Sequence, residues 1–462
     1  MSILSVIKRF TAPALPFAGR EYDQKYFNQL LSVLRIYFNQ LDNLLGQLVD
    51  GTAGGDVRFY GTALDAFGRA RFSQPYTLFD SQNRYGLDDQ FDSSNTGNGQ
   101  VPALLPNEST VEMRITSGAA GSVIRQTFRS FSYQPGKSLL FMATFVMDSN
   151  TSSALTQRVG YFNTQNGVFL QRVGSTVSFV LRTNTSGTPS DARTVDQADW
   201  NVDKMDGTGP SAYTLDLADA QIFWADFEWL GVGSVRCGFV INGELIICHT
   251  FHNANIIDKV YMTTAILPVR YEIVASASVA GGATLKQICS TVISEGGYQK
   301  KVANNVALID SSYLSPISVA IADNWVPLVS IRLSTTRTGA VVIPANFSVL
   351  CTTTPADYEI ALIKNPVFSS APTFSTTGNL NVEYAIDGVI NYGGTPLTAY
   401  VYHTFASGSN QSGGAVGVEG DYNWDLQLGA DISGTPTVFT LAVRTISGTD
   451  SFYGSLSFWD LT

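Results

Sequence analysis

From residue 56 to residue 462 the apolar residues come in short runs, five to ten positions long, and nearly every run is closed by Gly, Pro, Asn or Ser. Runs of that length and composition predict strands, and such regular punctuation predicts tight turns between them. Candidate strands fall at 124–133, 138–147, 158–162, 167–173, 177–182, 221–229, 234–241, 244–251 and 269–273. Others follow at 325–333, 340–343, 358–363, 382–386, 398–404, 426–428, 438–444 and 456–459. Their spacing suits β-sandwiches or jelly rolls, not alternating βα units.

Asn242-Gly243 is the strongest hairpin signal in the chain, because both central residues of a type I′ turn need positive φ. A two-residue loop there pairs Ile241 with Glu244, Phe239 with Ile246 and Cys237 with Cys248. The last pair would occupy a hydrogen-bonded site, with Cα atoms ~5.5 Å apart. Such sites do not favour disulfide geometry, so two buried free thiols are expected. Residues 234–251 are apolar on both faces, which predicts a central position in a sheet covered on each side.

Before residue 56 the pattern changes. Residues 1–20 carry Pro13 and Pro16 and read as an extended lead-in. Over 22–49, Phe27, Leu30, Leu34, Tyr37, Leu41, Leu44 and Leu48 recur at alternating spacings of three and four, a heptad pattern. Leu31, Phe38 and Leu45 widen the stripe to three positions per heptad. Asp50-Gly51 stops the helix, which would be ~40 Å long at 1.5 Å per residue. A stripe that broad suits a homotrimer or docking into another protein, and these seven residues are the candidate anchoring or oligomerisation face. The competing reading is a helix that covers its own β domain.

A length of 462 residues implies two or three domains. We divide the chain into 1–55 (lead-in, helix and linker), 56–299 (a lectin-like jelly-roll sandwich) and 300–462 (a second β-sandwich). The last boundary follows a shift in charge. Residues 300–462 hold 6 Lys+Arg and 12 Asp+Glu, and so carry −6 of the total −10.

That acidic balance, 28 Lys+Arg against 38 Asp+Glu, argues against nucleic acid as a partner. No basic run exceeds Lys8-Arg9 or Lys300-Lys301. Charged residues are 14 % of the chain, against about 25 % in ordinary soluble domains. Gly, Tyr, Phe, Ser, Thr and Asn take up the difference, so hydroxyls and amides keep the surface wet. The first nine residues place their positive charges after the apolar stretch, the reverse of a signal peptide. No run approaches the ~18 apolar residues of a membrane helix. The expected product is soluble, without a membrane, and made in a cytoplasm.

Several longer motifs carry a resemblance. They are Gly68-Arg-Ala-Arg-Phe-Ser-Gln-Pro-Tyr-Thr-Leu-Phe79, Arg125-Gln-Thr-Phe128, Tyr133-Gln-Pro-Gly-Lys-Ser138 and Gly160-Tyr-Phe162. Further along stand Trp200-Asn-Val-Asp-Lys-Met-Asp-Gly-Thr-Gly-Pro210, Asp226-Phe-Glu-Trp-Leu-Gly-Val-Gly233 and Ser290-Thr-Val-Ile-Ser-Glu-Gly296. With Tyr37-Phe-Asn-Gln-Leu-Asp42 in the helix, this set is similar to a widespread family of tailed-phage virion structural proteins. The resemblance implies a virion component made in the host bacterial cytoplasm, with other virion proteins of the tail, neck or head as partners. It leaves open a tail fibre, a neck or collar appendage, and a head decoration protein.

For chemistry, the sharpest stretch is Trp224-Ala-Asp226-Phe-Glu228. It resembles the Glu-x-Asp-x-Glu strand of laminarinase-like retaining glycoside hydrolases, whose two carboxyl groups stand ~5–5.5 Å apart. Here the nucleophile position is Trp224, so no attacking group remains and no catalytic residue is expected. Asp226 and Glu228 then read as polar residues of a sheet face or as partners of Arg236 or Arg270. The alternative is a carbohydrate-binding or glycan-degrading receptor module, with Trp224, Asp226, Glu228 and Trp229 as candidate glycan contacts and both tryptophans on one sheet face.

The three histidines form no metal constellation, because His249 and His252 point to opposite faces and His403 is remote. Asp196, Asp199, Asp203 and Asp206-Gly207 match no calcium-loop spacing and read as a turn-rich loop. Four scattered cysteines make neither a disulfide framework nor a zinc site. No metal and no cofactor is expected. The sequence reading is thus a mainly β, non-enzymatic virion protein, trimeric through its helix, with a host-surface glycan as a candidate ligand.

Overall fold

In the computed structural model the described residues are 27–28, 30–35, 38, 74–299, 307–310, 315–320, 325–352, 356–376, 378–408, 414–417, 424–446 and 448–462. The chain divides into two compact units, residues 1–73 and 74–462. In the first unit every described residue from 27 to 38 is helical. Phe27, Leu31 and Phe38 are 46 %, 50 % and 58 % exposed, while Leu30 and Leu34 are half-buried. Tyr37, Leu41, Leu44 and Leu48 lie outside the described residues.

The second unit holds two β-sandwiches. One sheet of the first sandwich runs, neighbour by neighbour, Glu244–Phe251, Val235–Ile241, Gln221–Phe227, Leu139–Met147, Ala283–Ser294, Thr110–Ile115 and Ala103–Leu105. Tyr76–Gln82 is its eighth strand and pairs with the far end of Ala283–Ser294. The facing sheet runs Ser190–Asp196, Thr176–Thr183, Gly167–Val173, Leu155–Phe162, Val269–Ala275, Gly121–Thr127 and Phe91–Gly97. All these pairings are antiparallel. Burial alternates strictly along Gly121–Thr127 and Leu139–Met147, the period of two that sends every second side chain inward. Between the sheets the aromatics meet. Phe141 lies 6.3 Å from Tyr161, and Phe223 5.7 Å from Phe179.

The second sandwich repeats the plan with a separate core. One sheet joins Ala307–Asp310, Asp450–Asp460, Val342–Cys351 and Gly414–Gly417, with Ile317–Val319 also paired to Asp450–Asp460. The other runs Ser375–Thr376, Val382–Ala385, Val326–Leu333, Val438–Thr445, Ala356–Lys364 and Tyr400–Gly408. Leu328, Ile331, Leu362, Leu441, Phe452 and Phe458 fill the space between them. Residues 426–428, expected as a strand, instead begin in a short 3-10 turn, Trp424–Leu426.

Two expectations for the Asn242-Gly243 hairpin are corrected. Ile241 does pair with Glu244 and Phe239 with Ile246, but Gly238 then pairs with Ile247 and Cys237 with His249. Cys248 is the extra residue of a β-bulge, which bends the ladder out of simple register. Both thiols are free and buried, and Cys248 Sγ sits 3.3 Å from Met205 Sδ. Nor is the hairpin central, since Glu244–Phe251 is the outermost strand of its sheet. Its second apolar side is covered by the segment after the short 3-10 turn Gln197–Asp199, where Trp200, Met205 and Leu217 join the main core.

Candidate functional site

The two sandwiches meet along residues 424–436. Leu428 N–H donates to Val342 O at 2.8 Å, which keeps this segment on the second sandwich. Toward the first, Trp424 donates its indole N–H to the Tyr76 hydroxyl at 2.9 Å, Gln427 Nε2 to Ser130 O at 2.7 Å, and Ile432 N–H to Asp92 Oδ2 at 2.8 Å. Ala430 N–H donates to Phe128 O at 3.0 Å. Backbones approach closely here, and a β-carbon on Gly429 would stand 2.2 Å from Phe128 O. Arg129, 7 % exposed, donates to the Trp424 carbonyl and to Gln90 Oε1, with Asp425 at 3.9 Å. Burial holds its pKa below the ordinary arginine value.

Beside this seam opens a cleft of about 600 Å³, within the range of small-ligand sites. Gln126, the loop Asn163-Thr164-Gln165, Thr264 and Arg270 line it from the first sandwich. Thr336, Arg337, Thr338, Asn381 and the turn Asp431-Ile432-Ser433-Gly434 line it from the second. Arg270 is held fast at the first sandwich wall. Its Nε donates to Glu272 Oε2 at 2.9 Å, one terminal nitrogen to Gln126 Oε1 at 2.8 Å, and its guanidinium lies 5.6 Å from the Phe162 ring centre. Arg337 is exposed, and one of its nitrogens donates to Asn381 Oδ1 at 3.2 Å. Burial raises the Asp431 pKa, but hydrogen bonds from Ser433 and Thr435 outweigh it, so the carboxylate is held below its usual range. Thr164, Gln165 and Thr336 present amide and hydroxyl groups to solvent. The lining therefore offers hydrogen-bond donors and acceptors around one exposed cation.

The residues singled out from sequence lie elsewhere. Trp224 is 1 % exposed, with its indole N–H donated to Phe239 O at 3.2 Å, so it shows no face to a ligand. Asp226 is buried and accepts two hydrogen bonds from one edge of the Arg236 guanidinium, the pairing read for it from sequence. The strand ends at Phe227, so Glu228 and Trp229 do not continue its face. Glu228 is exposed, while Trp229 turns inward onto Tyr133 at 6.1 Å and donates to Met262 O at 3.2 Å. The expected shared face of Trp224 and Trp229 is corrected accordingly.

The aspartate-rich loop serves the hairpin edge. Asp203, 3 % exposed, accepts from Met205 N–H at 2.8 Å and Ser211 N–H at 2.7 Å. Val202 and Asp203 N–H both reach Cys248 O at 3.0 Å, and Asn201 trades hydrogen bonds with Thr250 at 2.9 Å in each direction. Asn201 N–H donates to His249 Nδ1 at 3.3 Å, and burial lowers the His249 pKa to about 4. His252 is exposed. His403 Nε2 lies 3.3 Å from Glu359 Oε2, whose other oxygen accepts from Arg444 at 2.7 Å. Among the described residues no group of His, Cys, Asp and Glu is arranged to hold a metal ion.

No family model and no curated relative matches this sequence. Among solved structures, the metal-free carbohydrate recognition domain of Emp46p aligns with 49 % of this chain and all of its own, at 10 % identity and TM-score 0.30. Peanut lectin bound to a nine-residue peptide aligns with 48 % of this chain and 98 % of its own, at 12 % identity and TM-score 0.28. A legume lectin-like domain from Entamoeba histolytica aligns over 49 % and 99 %, at 9 % identity and TM-score 0.28.

Proposed function

We propose that this chain is a non-enzymatic attachment protein of a tailed-phage virion, whose inter-sandwich cleft takes a polyhydroxylated ligand of the host-surface glycan class. The observation that carries the binding reading is the cleft lining: amides and hydroxyls from both sandwiches around Arg337, on a wall stiffened by the Arg270 network. Sugars are recognised by such bidirectional hydrogen bonds, each worth ~1 kcal/mol net. The pairing of Asp226 with Arg236 supports a non-catalytic role, because a retaining hydrolase needs two free carboxyl groups. The motif resemblance to phage structural proteins supports the virion assignment and leaves its place open between tail fibre, neck or collar appendage and head decoration. The helical stripe supports homotrimeric assembly or anchoring to a virion partner.

Glycan arrays and host-polysaccharide binding with purified protein test this. We expect binding without hydrolysis, weakened about tenfold by Arg337→Ala or Gln165→Ala through loss of one or two ligand hydrogen bonds. Absence of glycan binding would defeat the cleft assignment. Polysaccharide turnover abolished by Glu228→Gln would defeat the non-enzymatic reading.

A further inference from the structure

Phe128, which lines the cleft, also lines a second hollow of about 340 Å³ at the same seam. Asp89 and Arg129 border this hollow from the first sandwich, and Lys364 and Asp425 from the second. Lys364 closes the strand Ala356–Lys364, and its Nζ lies 5.9 Å from the Phe128 ring centre. The side chain is half-buried, yet its ammonium has no hydrogen-bond acceptor and no ion-pair partner among the described residues. Burial lowers its pKa; the Arg129 charge adds to this, while the Asp89 and Asp425 charges work against it. A half-buried donor left without an acceptor is costly, so Lys364 favours any ligand that brings one.

Around Lys364 the lining is partly fixed and partly free. Arg129 is held by the Trp424 carbonyl and Gln90 Oε1, and Gln90 Nε2 donates in turn to Asp80 O at 3.2 Å. The exposed Asp89 carboxylate accepts from no group among the described residues. A further space of about 250 Å³ shares Gln90, Arg129 and Asp425 with the hollow and is walled by Trp424. That indole is fixed by its N–H on the Tyr76 hydroxyl and stands edge-on to the Tyr298 ring, 5.1 Å away. The hollow thus joins a rigid frame to one free cation and one free carboxylate.

We propose that this hollow is a second subsite for a glycan chain laid across the seam, where Lys364 donates to oxygens of one sugar unit and Asp89 accepts from its hydroxyl groups. The proposal rests on the glycan-binding reading of the cleft and extends the ligand from a single sugar to an oligosaccharide. Charge selects the class. An anion would meet Lys364 but also the Asp89 and Asp425 carboxylates, and a cation would meet those but also Lys364 and Arg129. A neutral ligand rich in hydroxyls satisfies both signs at once. Water does so too, but a sugar unit joined to one already held in the cleft arrives at the effective concentration of a tethered group and displaces it.

The probe is a size ladder of oligosaccharides cut from the polysaccharide that the arrays select, titrated calorimetrically against the full chain. Affinity should climb with fragment length until both hollows are covered, and then level off. Lys364→Met, which keeps the aliphatic stem, and Asp89→Asn should each weaken the longest fragments about tenfold and shorter ones progressively less, with unchanged thermal midpoints. Crystals grown with the longest fragment should show a sugar unit within hydrogen-bond distance of Lys364 Nζ. An affinity indifferent to length, equal losses at every length, or ordered water alone at Lys364 would overturn the second subsite and leave the cleft reading standing. Failure of every fragment to bind would instead defeat the cleft reading, and this inference with it.

Discussion

At Gly238 a β-carbon would stand 1.8 Å from the Ile246 carbonyl oxygen and 3.1 Å from Trp224 Cε2. The indole of Trp224 is thus laid over a position that has no side chain, and the ladder shifts by one residue beside it. Counting outward from Asn242-Gly243 assumes an even ladder, so it paired Cys237 with Cys248, and only the three-dimensional fit between Gly238 and Trp224 reveals the bulge. The shift also places His249 opposite Cys237. Burial, then the nearby His252 and Arg193 charges, lower its pKa to about 4, against about 6.5 in an unfolded chain. Between those values the unfolded chain binds a proton that the folded one refuses. Stability is therefore full above pH ~6.5 and declines as pH falls toward 4. Thermal midpoints across that window should fall less steeply in His249→Gln than in the wild type. Identical slopes would show that His249 does not set them.

Strand ends and turns were largely legible, because Gly167–Val173 and Glu244–Phe251 are apolar runs closed by turn residues. Phe91–Gly97 was not, since its sequence FDSSNTG is polar and mostly exposed at a sheet edge. Ala283–Ser294 also escaped, with inward Gln287, Ser290 and Ser294 masking its alternation. The edge position of Glu244–Phe251 shows the same limit. Apolar residues on both faces demand cover, but they do not say whether a strand or a loop supplies it. Here residues 201–203 hydrogen-bond to the edge, which shields it from pairing with another chain. The helix poses the converse problem. Phe27, Leu31 and Phe38 remain 46 %, 50 % and 58 % exposed, and burying such side chains is worth ~1.5–3 kcal/mol each. Leu34→Asp with Leu41→Asp should leave the sandwiches folded by circular dichroism while abolishing oligomerisation in light scattering. An unchanged mass would make the helix a cover for its own chain.

At the scale of the whole molecule, residues 78–292 and 319–458 build separate cores within one compact unit, 74–462. The seam and the cleft beside it were not readable in advance. The cleft is assembled from seven stretches far apart in sequence, and no local spacing joins them. Only Gln126-Thr127-Phe128 within it belongs to a motif noticed from sequence. The seam depends on close backbone approach at Gly429, so Gly429→Val should part the two sandwiches and weaken ligand binding. Calorimetry should then resolve two transitions where the wild type gives one. A single unshifted transition would mean that the seam adds nothing to cooperativity.

The central claim is that the chain works as a fixed part of a virion, and electron microscopy of intact phage particles labelled with antibody to this protein tests it most directly. The account predicts label at defined positions on the tail, neck or head, with a copy number divisible by three. Particles that carry no label, from lysates in which the chain is abundant, would contradict it.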